Sequence, residues 1–166
     1  MPLRQIIQGN PETLSDMLLA ADDRYREAEQ LILAQEFEGA IYLFGYAAEI
    51  WLKAACMLLQ GHKNTTLVKG TLAPLRKWMQ SVSPTVPFAD YHDLAFFAEA
   101  ILQLRLRLGR PLAGGLVADL QAQVIRGLHE EWIVEMRYRR SGLTASDAWP
   151  VLAQTWWVKN NWTNLI

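Results

Sequence analysis

Apolar residues recur at steps of three and four along most of this chain, which is the period of an α-helix. Between about 10 and 35 they form one stripe, with charged and polar residues on the other faces. The stripe consists of Leu14, Leu18, Ala21, Tyr25, Ala28 and Ile32. Asn10 and Pro11 precede it, as a cap and a proline at the first helical position. This pattern predicts a helix over about 10–35.

The next segment, Phe37–Leu59, is apolar in nearly every direction around a helix. Such a pattern predicts a central helix that neighbours cover on several sides. The segment is long enough to cross a bilayer, but its charged residues favour a core helix. Gly39 and Gly45 weaken the helix propensity and indicate that another helix approaches closely there.

Residues 61–88 are rich in glycine and proline, which predicts turns and an irregular connection. One short amphipathic helix is predicted within it, over about 71–81, with Leu72, Leu75, Trp78 and Met79 on its apolar face. Because a connection of this length is uncommon in a compact bundle, we interpret it as an insertion or a functional loop.

Two further long helices follow this connection. Asp90 is a candidate cap for the first, which ends at Gly109-Arg110-Pro111. Its apolar stripe consists of Leu94, Phe97, Ile101, Leu104 and Leu108. The second is predicted over about 116–139 and ends at Ser141-Gly142. Its inward residues are Val117, Leu120, Val124, Leu128, Trp132 and Met136.

A last helix is predicted over about 146–160, provided that Pro150 lies in its first turn. It carries Trp149, Leu152, Trp156 and Trp157. The whole pattern predicts an all-α fold, a four- to five-helix up-and-down bundle with a long irregular connection between the second and third long helices. We predict one domain over 1–166, with a core of about 10–160.

Composition narrows the class of protein. The chain has 166 residues, of which 51% are hydrophobic, and this composition excludes disorder. Its formal net charge of −1 argues against coating of nucleic acid through bulk charge but leaves room for a local basic patch. Its single cysteine, Cys56, excludes an internal disulfide framework. The sequence shows neither a signal segment nor an uninterrupted apolar span, so we expect a cytoplasmic protein that does not bind membranes.

Glu49 and Lys53 stand one turn apart within the apolar second helix. They form either an ordinary i,i+4 pair on a strip that reaches water, or a buried site. In the second interpretation Glu49 needs a cationic partner from another helix, since an unpaired buried charge is costly. Arg137 is the best candidate for that partner.

Arginines cluster at the end of the fourth long helix, at Arg137, Arg139 and Arg140. They either offset the negative end of the helix dipole or form a patch that binds phosphate oxygens in pairs. Trp132 and Tyr138 are near in sequence, and either stack a base or belong to the core.

The three histidines, His62, His92 and His129, lack the spacing of a zinc-binding helix, so we predict no metal and no cofactor. Cys56 has no local signature of a catalytic pair and is expected to be an inert core residue.

Three short segments resemble HEPN domains, a family of small helical bundles associated with nucleotides and RNA. They are Gly45-Tyr46-Ala47-Ala48-Glu49-Ile50-Trp51-Leu52-Lys53-Ala54, Tyr91-His92-Asp93-Leu94, and the stretch from Trp132 to Arg137-Tyr138. They resemble the second, third and fourth helices of the family in order, over about 20–155. The resemblance implies a polar site or dimer surface formed by Glu49, Lys53, His92, Asp93, Arg137, Arg139 and Arg140.

Many HEPN domains are metal-independent ribonucleases in which an arginine precedes a histidine by a spacing of four to six residues. Histidine would move a proton and arginine would stabilise charge on the phosphate. No arginine stands at that distance before any histidine here, and Arg126 is only three positions before His129. The ribonuclease motif is therefore missing.

The resemblance thus implies a non-catalytic, homodimeric module that binds a nucleotide, RNA or a partner protein, such as the nucleotidyltransferase of a toxin–antitoxin or defence-type pair. One alternative is a ribonuclease or nucleotide-acting enzyme with a rearranged site, for which His92, Arg137 and Tyr138 are the catalytic candidates, with His129 as a substitute for His92. Another is a purely structural dimer anchored by tryptophans.

Overall fold

The computed structural model describes residues 12–84, 86, 92–134 and 142–166, and within these ranges it contains six helices and no strand. The helices are α1 (Leu14–Leu33), α2 (Phe37–Leu59), α3 (Leu72–Val82), α4 (Leu94–Arg107), α5 and α6 (Ala145–Asn161). Helix α5 joins three stretches, Gly114–Leu120, Gln121–Leu128 and His129–Glu131. A 3-10 turn, Trp162–Leu165, follows α6. The predicted all-α class is confirmed for the described residues.

Helix α2 has the predicted bounds and forms the centre of the fold, packed against α1, α4 and α6. Phe44 and Trp51 are almost fully buried, and the ring of Tyr25 lies 5.3 Å from the first and 5.9 Å from the second. Among the described helices α2 has the length and composition to cross a membrane, but 72% of its most apolar window is buried inside the protein. It is a core helix, compatible with a soluble protein.

Gly45 marks a close approach, as predicted. A Cβ atom at this position would lie 2.2 Å from the indole of Trp132, so no larger residue fits without a shift. Trp132 is 2% exposed and its Nε1 donates to the carbonyl of Tyr42 at 3.1 Å. At Gly39 the nearest atom is the flexible Leu31 Cδ1 at 3.0 Å, within the α1–α2 contact.

Helix α1 begins later than predicted. Its cap is Thr13, whose hydroxyl accepts from the Asp16 N–H at 3.2 Å while the Asp16 carboxylate accepts from the Thr13 N–H at 2.9 Å. This reciprocal capping box starts the helix at Leu14, because Thr13 already has extended backbone angles. The predicted cap, Asn10-Pro11, lies outside the described residues.

The cap of α4 is Asp93, whose Oδ1 accepts from the Phe96 N–H at 2.9 Å. The prediction named Asp90, which lies outside the described residues. Asp93 caps α4 because its extended backbone directly precedes the first helical residue. The predicted end is close, since α4 stops at Arg107 and Gly109 adopts a positive φ of 68°.

Helix α5 is shorter than the predicted 116–139 and changes its winding. It ends at Glu131, since Trp132 is extended, and its middle stretch Gln121–Leu128 is π-helical. The buried apolar residues are spaced by four at each step: Leu120, Val124, Leu128 and Trp132. An α-helix has 3.6 residues per turn, so side chains spaced by four drift around its axis. The wider π-helical turns reduce this drift and keep these side chains on the buried side of α5. Met136 lies outside the described residues.

Helix α6 matches its predicted range within one residue, but the condition on Pro150 is wrong. Pro150 is the sixth residue of the helix, beyond the first turn. Pro150 has no N–H group to donate to the Ser146 carbonyl four residues earlier. Both residues are exposed, so water can take the place of the missing hydrogen bond. Trp149 and Trp156 are each 55% exposed, and the buried face consists of Ala148, Val151, Thr155 and Val158.

The irregular connection is anchored to the start of α1. The N–H groups of Leu14 and Ser15 donate to the carbonyls of Thr66 and Asn64, each at 2.9 Å. The Val68 N–H donates to the Glu12 carbonyl at 3.0 Å. Helix α3, over Leu72–Val82, follows within one residue of its prediction. These bonds place Val68 and the start of α3 beside α1 and α2.

Candidate functional site

Glu49 on α2 is a buried carboxylate, 1% exposed. Its Oε1 accepts from the Lys53 ammonium, and its Oε2 lies 2.9 Å from His92 Nδ1. Glu49 and Lys53 therefore do form an i,i+4 pair, but Glu49 is buried in the core and does not lie on a strip that reaches water. Both oxygens have partners, which is the arrangement that makes a buried charge tolerable.

Lys53 is held at two points. One turn after Glu49 on the same helix, it donates to that carboxylate, and its Nζ lies 5.3 Å from the centre of the Phe97 ring on α4. Its side chain is 13% exposed. A cation over an aromatic face gains further stabilisation, so the ammonium is fixed where α2 meets α4.

His92 lies just before α4, and its side chain is 38% exposed. Its Nδ1 faces Glu49, so an ionised carboxylate there accepts an Nδ1–H. This hydrogen bond selects the tautomer in which Nε2 carries the lone pair when the ring is neutral. The buried carboxylate thus orients the imidazole as a proton acceptor or a hydrogen-bond partner.

Asp93 and His129 form a second carboxylate–imidazole pair. Asp93 is 7% exposed, and its Oδ1 lies 3.6 Å from His129 Nδ1. The same oxygen accepts the Phe96 N–H that caps α4. The described contacts of Asp93 are thus a helix cap and a pairing with His129, and its place in a shared polar site with Glu49 stays a prediction.

A cleft of about 370 Å³ adjoins the Glu49 cluster, between α1, α2 and the irregular connection. Its apolar lining comes from Met17, Ala20, Ile50, Val68 and Leu72. Its polar lining comes from Glu12, Arg24, Tyr46, Glu49, Lys53 and His92. The cleft thus combines an apolar surface with hydrogen-bond donors and acceptors and with charges of both signs.

Tyr46 and Arg24 complete the polar lining. Burial raises the pKa of the half-buried Tyr46 phenol, and the nearby Glu49 carboxylate raises that pKa further, so the hydroxyl stays a donor at neutral pH. Arg24 on α1 pairs with Glu27 at 2.6 Å, and its side chain is 38% exposed. Arg24 therefore offers a cation at the solvent side of the cleft.

The sequence did not identify Arg24, Tyr46 or Glu12 as site residues. A signal for Arg24 exists, because Met17, Ala20 and Arg24 are spaced by three and four and share one face of α1. Glu12 had no such signal, since the Glu12 carbonyl meets the connection through the N–H of Val68, a residue far away in sequence.

The predicted arginine cluster, Arg137, Arg139 and Arg140, lies outside the described residues, as does Tyr138. The partners of Glu49 among the described residues are Lys53 and His92. The arginines of α4 serve other contacts. Arg105 donates to the Ile166 carbonyl at 2.6 Å, and Arg107 lies 5.3 Å from the centre of the Trp78 ring.

Cys56 on α2 is fully buried, and burial raises the pKa of its thiol. Its Sγ lies 3.5 Å from the Phe97 carbonyl. A thiol in this setting is a core residue with little thiolate character, as the sequence predicted. Within the described ranges, no group of three His, Cys, Asp or Glu side chains is close enough to hold a metal ion.

Comparisons of the chain with protein-family models, with curated proteins and with solved structures find no match. The resemblance to HEPN domains therefore rests on the three sequence segments alone.

Proposed function

We propose that this chain is a non-catalytic, HEPN-like helical module that binds a nucleotide, free or at the end of an RNA, in the cleft between α1 and α2. The observation that carries the proposal is the buried Glu49, which fixes Lys53 and His92 at the wall of a cleft that Arg24 and Tyr46 also line. The HEPN resemblance of the segment that contains Glu49 and Lys53 supports the same assignment.

A nucleotide fits the chemistry of this lining. Arg24, Lys53 and His92 are donors for phosphate oxygens, and an arginine guanidinium binds such oxygens in pairs. The apolar side chains of the lining can cover a base, and the Tyr46 hydroxyl and Glu12 carboxylate can bond a ribose or an amino group. The volume of about 370 Å³ is in the range of small-ligand pockets, so it accommodates one nucleotide rather than a strand.

Isothermal titration calorimetry with the nucleoside monophosphates at low and moderate salt tests this proposal. We expect binding that weakens with salt and that falls severalfold in Arg24→Met and His92→Asn. Arg26→Met is the matched control, because Arg26 lies on the same helix, is 71% exposed and is absent from the cleft lining. The absence of nucleotide binding by the wild type, or equal losses in Arg26→Met, would contradict the proposal.

A second candidate function is metal-independent cleavage of RNA, which the Glu49–His92 pair favours. A carboxylate that orients an imidazole is the arrangement of a general base, here one that would take the proton of a ribose 2′-hydroxyl as that oxygen attacks the adjacent phosphorus. The 5′-oxygen would then leave with a proton from solvent. Incubation of total RNA with the pure protein in chelator decides between the two. Cleavage that His92→Ala abolishes and His129→Ala retains would replace the binding proposal.

The resemblance also implies a homodimer, a nucleotidyltransferase partner and a cytoplasmic location, and these stay predictions. The exposed Trp149 and Trp156 on α6 support contact with another protein, because exposed tryptophans are enriched at interface centres. Light scattering with Trp149→Ser/Trp156→Ser tests the dimer. We expect the wild type to be dimeric and the variant to dissociate into monomers at a higher protein concentration than the wild type. A monomeric wild type would contradict the predicted homodimer.

A further inference from the structure

We infer that the cleft selects nucleotides that carry a single phosphate group, against both nucleosides and nucleoside triphosphates. This inference rests on the proposed function and narrows its ligand. It follows from the number of charges in the lining and from what each of the described cations is already bound to.

The charged side chains of the lining nearly balance. Arg24 and Lys53 contribute two positive charges, Glu12 and Glu49 contribute two negative charges, and His92 adds a positive charge only when it is protonated. The sum over the described lining is therefore zero or +1. A ligand with a small negative charge fits this field, whereas a triphosphate brings several charges that two carboxylates repel.

The cations of the lining differ in how easily they can exchange partners. Lys53 and His92 both bind Glu49, which is 1% exposed. If they moved to a phosphate, the negative charge of Glu49 would stay buried without a partner. Arg24 is bound to Glu27, a residue of its own helix whose side chain is 46% exposed. An exposed pair of this kind contributes little, so Arg24 can exchange Glu27 for a phosphate while water solvates the released carboxylate.

One exchangeable cation corresponds to one phosphate group. Lys53 can then add a hydrogen bond to that phosphate without leaving Glu49, because an ammonium has three donor hydrogens. Apart from Arg24 and Lys53, the described lining holds no arginine or lysine that a second or third phosphate could bind. The shared chemistry is a single phosphate, which a monoester or a diester supplies.

Titration calorimetry of the full chain with adenosine, AMP, 3′,5′-cyclic AMP and ATP tests the inference, with ATP measured both with Mg²⁺ and with chelator. If another base binds better, its own series replaces the adenine series. We expect AMP or cyclic AMP to bind about tenfold more tightly than adenosine and ATP. A preference for AMP indicates a terminal phosphate as the natural ligand, and a preference for the cyclic compound indicates a diester.

Two variants test the physical cause. Arg24→Met should lower the affinity for AMP to that for adenosine, whereas the matched control Arg26→Met should change neither. Glu12→Gln removes one negative charge from the lining, so it should raise the affinity for ATP severalfold relative to AMP. Circular dichroism checks that each variant is folded.

The outcomes separate this inference from the proposed function. ATP binding as tightly as AMP, equal binding of adenosine and AMP, or an unchanged ATP/AMP ratio in Glu12→Gln overturns the single-phosphate inference and leaves nucleotide binding intact. If neither adenosine nor any nucleotide binds, the proposed function itself fails.

Discussion

The two carboxylate–imidazole pairs of this protein have similar parts and different surroundings. Glu49 and Asp93 are both buried, and His92 and His129 are 38% and 41% exposed. In the first pair the carboxylate is 2.9 Å from the ring nitrogen and also binds an ammonium; in the second it is 3.6 Å away and binds a backbone N–H. The first pair is built from charged side chains and the second is built on a helix terminus.

This difference separates a site from a cap. Asp93 is explained by the start of α4, because a carboxylate at this position satisfies an N–H group that the helix leaves unpaired. Glu49 sits inside α2, where the backbone needs no such partner, and an ammonium from α2 and an imidazole from the start of α4 meet on it. A buried ionic cluster with no role in a helix terminus, at the wall of a cleft, is the better candidate for function.

The largest effect that we expect is on stability, from Glu49→Gln. The substitution removes the negative charge and leaves the Lys53 ammonium, 13% exposed, without its counter-charge. Removing one partner of a buried pair is strongly destabilising, and with the partial exposure of Lys53 and His92 we expect a loss of about 2–4 kcal/mol in the free energy of unfolding. Urea unfolding measures it.

A double variant and a surface control sharpen this result. Glu49→Gln/Lys53→Met should recover part of the loss, since it removes the uncompensated cation as well. Glu29→Gln on the exposed face of α1 should change the free energy of unfolding by no more than about 0.5 kcal/mol. Equal effects of Glu49→Gln and Glu29→Gln would contradict the structural importance of the buried Glu49 charge.

The second effect in size concerns the cap. Asp93→Ala should cost about 1–2 kcal/mol, because the Phe96 N–H loses its acceptor, whereas Asp93→Asn should cost less since asparagine also caps well. Urea unfolding distinguishes the two variants. Nucleotide affinity should stay at the wild-type value in Asp93→Asn, and a large drop would assign Asp93 to the site.

The third effect is on binding and compares the two histidines directly. His92→Asn should weaken binding of a nucleoside monophosphate about three- to tenfold, the equivalent of one hydrogen bond of ordinary net strength. His129→Asn should leave it unchanged, because His129 faces Asp93 and does not line the cleft. Calorimetry measures both, and a reversal of the two results would move the site toward α5.

Much of the fold could be predicted from the sequence because long apolar periods specify helices. The bounds of α2 were predicted correctly, and those of α3 and α6 within one residue. Helix termini were harder, since Thr13 and Asp93 compete with nearby caps and the choice depends on tertiary bonds such as that of Leu14 to Thr66. The π-helical stretch of α5 was missed, although the repeated spacing of four was visible.

The site could be predicted in part. Glu49 and Lys53 were identifiable because charges inside an apolar helix are conspicuous, and the HEPN resemblance brought in His92. That His92 binds Glu49 could not be predicted, since the two are 43 positions apart and no periodicity links them. Arg24 looked like an ordinary surface residue, and its place in the cleft depends on how α1 packs against α2.

The smallest expected effect concerns two carboxylates that cap helices and are exposed to solvent, Asp16 and Asp147. The hydrogen bonds from the Thr13 and Thr144 hydroxyls, and next those from the backbone, lower the pKa of Asp16 and Asp147 below the usual 3.8. A lowered pKa in the folded state stabilises the fold above the unfolded value and loses this effect as the pH falls through the folded value. Asp16→Asn/Asp147→Asn should therefore melt at a slightly lower temperature than the wild type at pH 7, with a smaller difference than Asp93→Ala. This difference in melting temperature should disappear below about pH 3.8.

Asp23→Asn, exposed on α1, is the control and should show no such gap at either pH. A gap that persists at pH 2 would mean that the charge of these two caps does not contribute to stability.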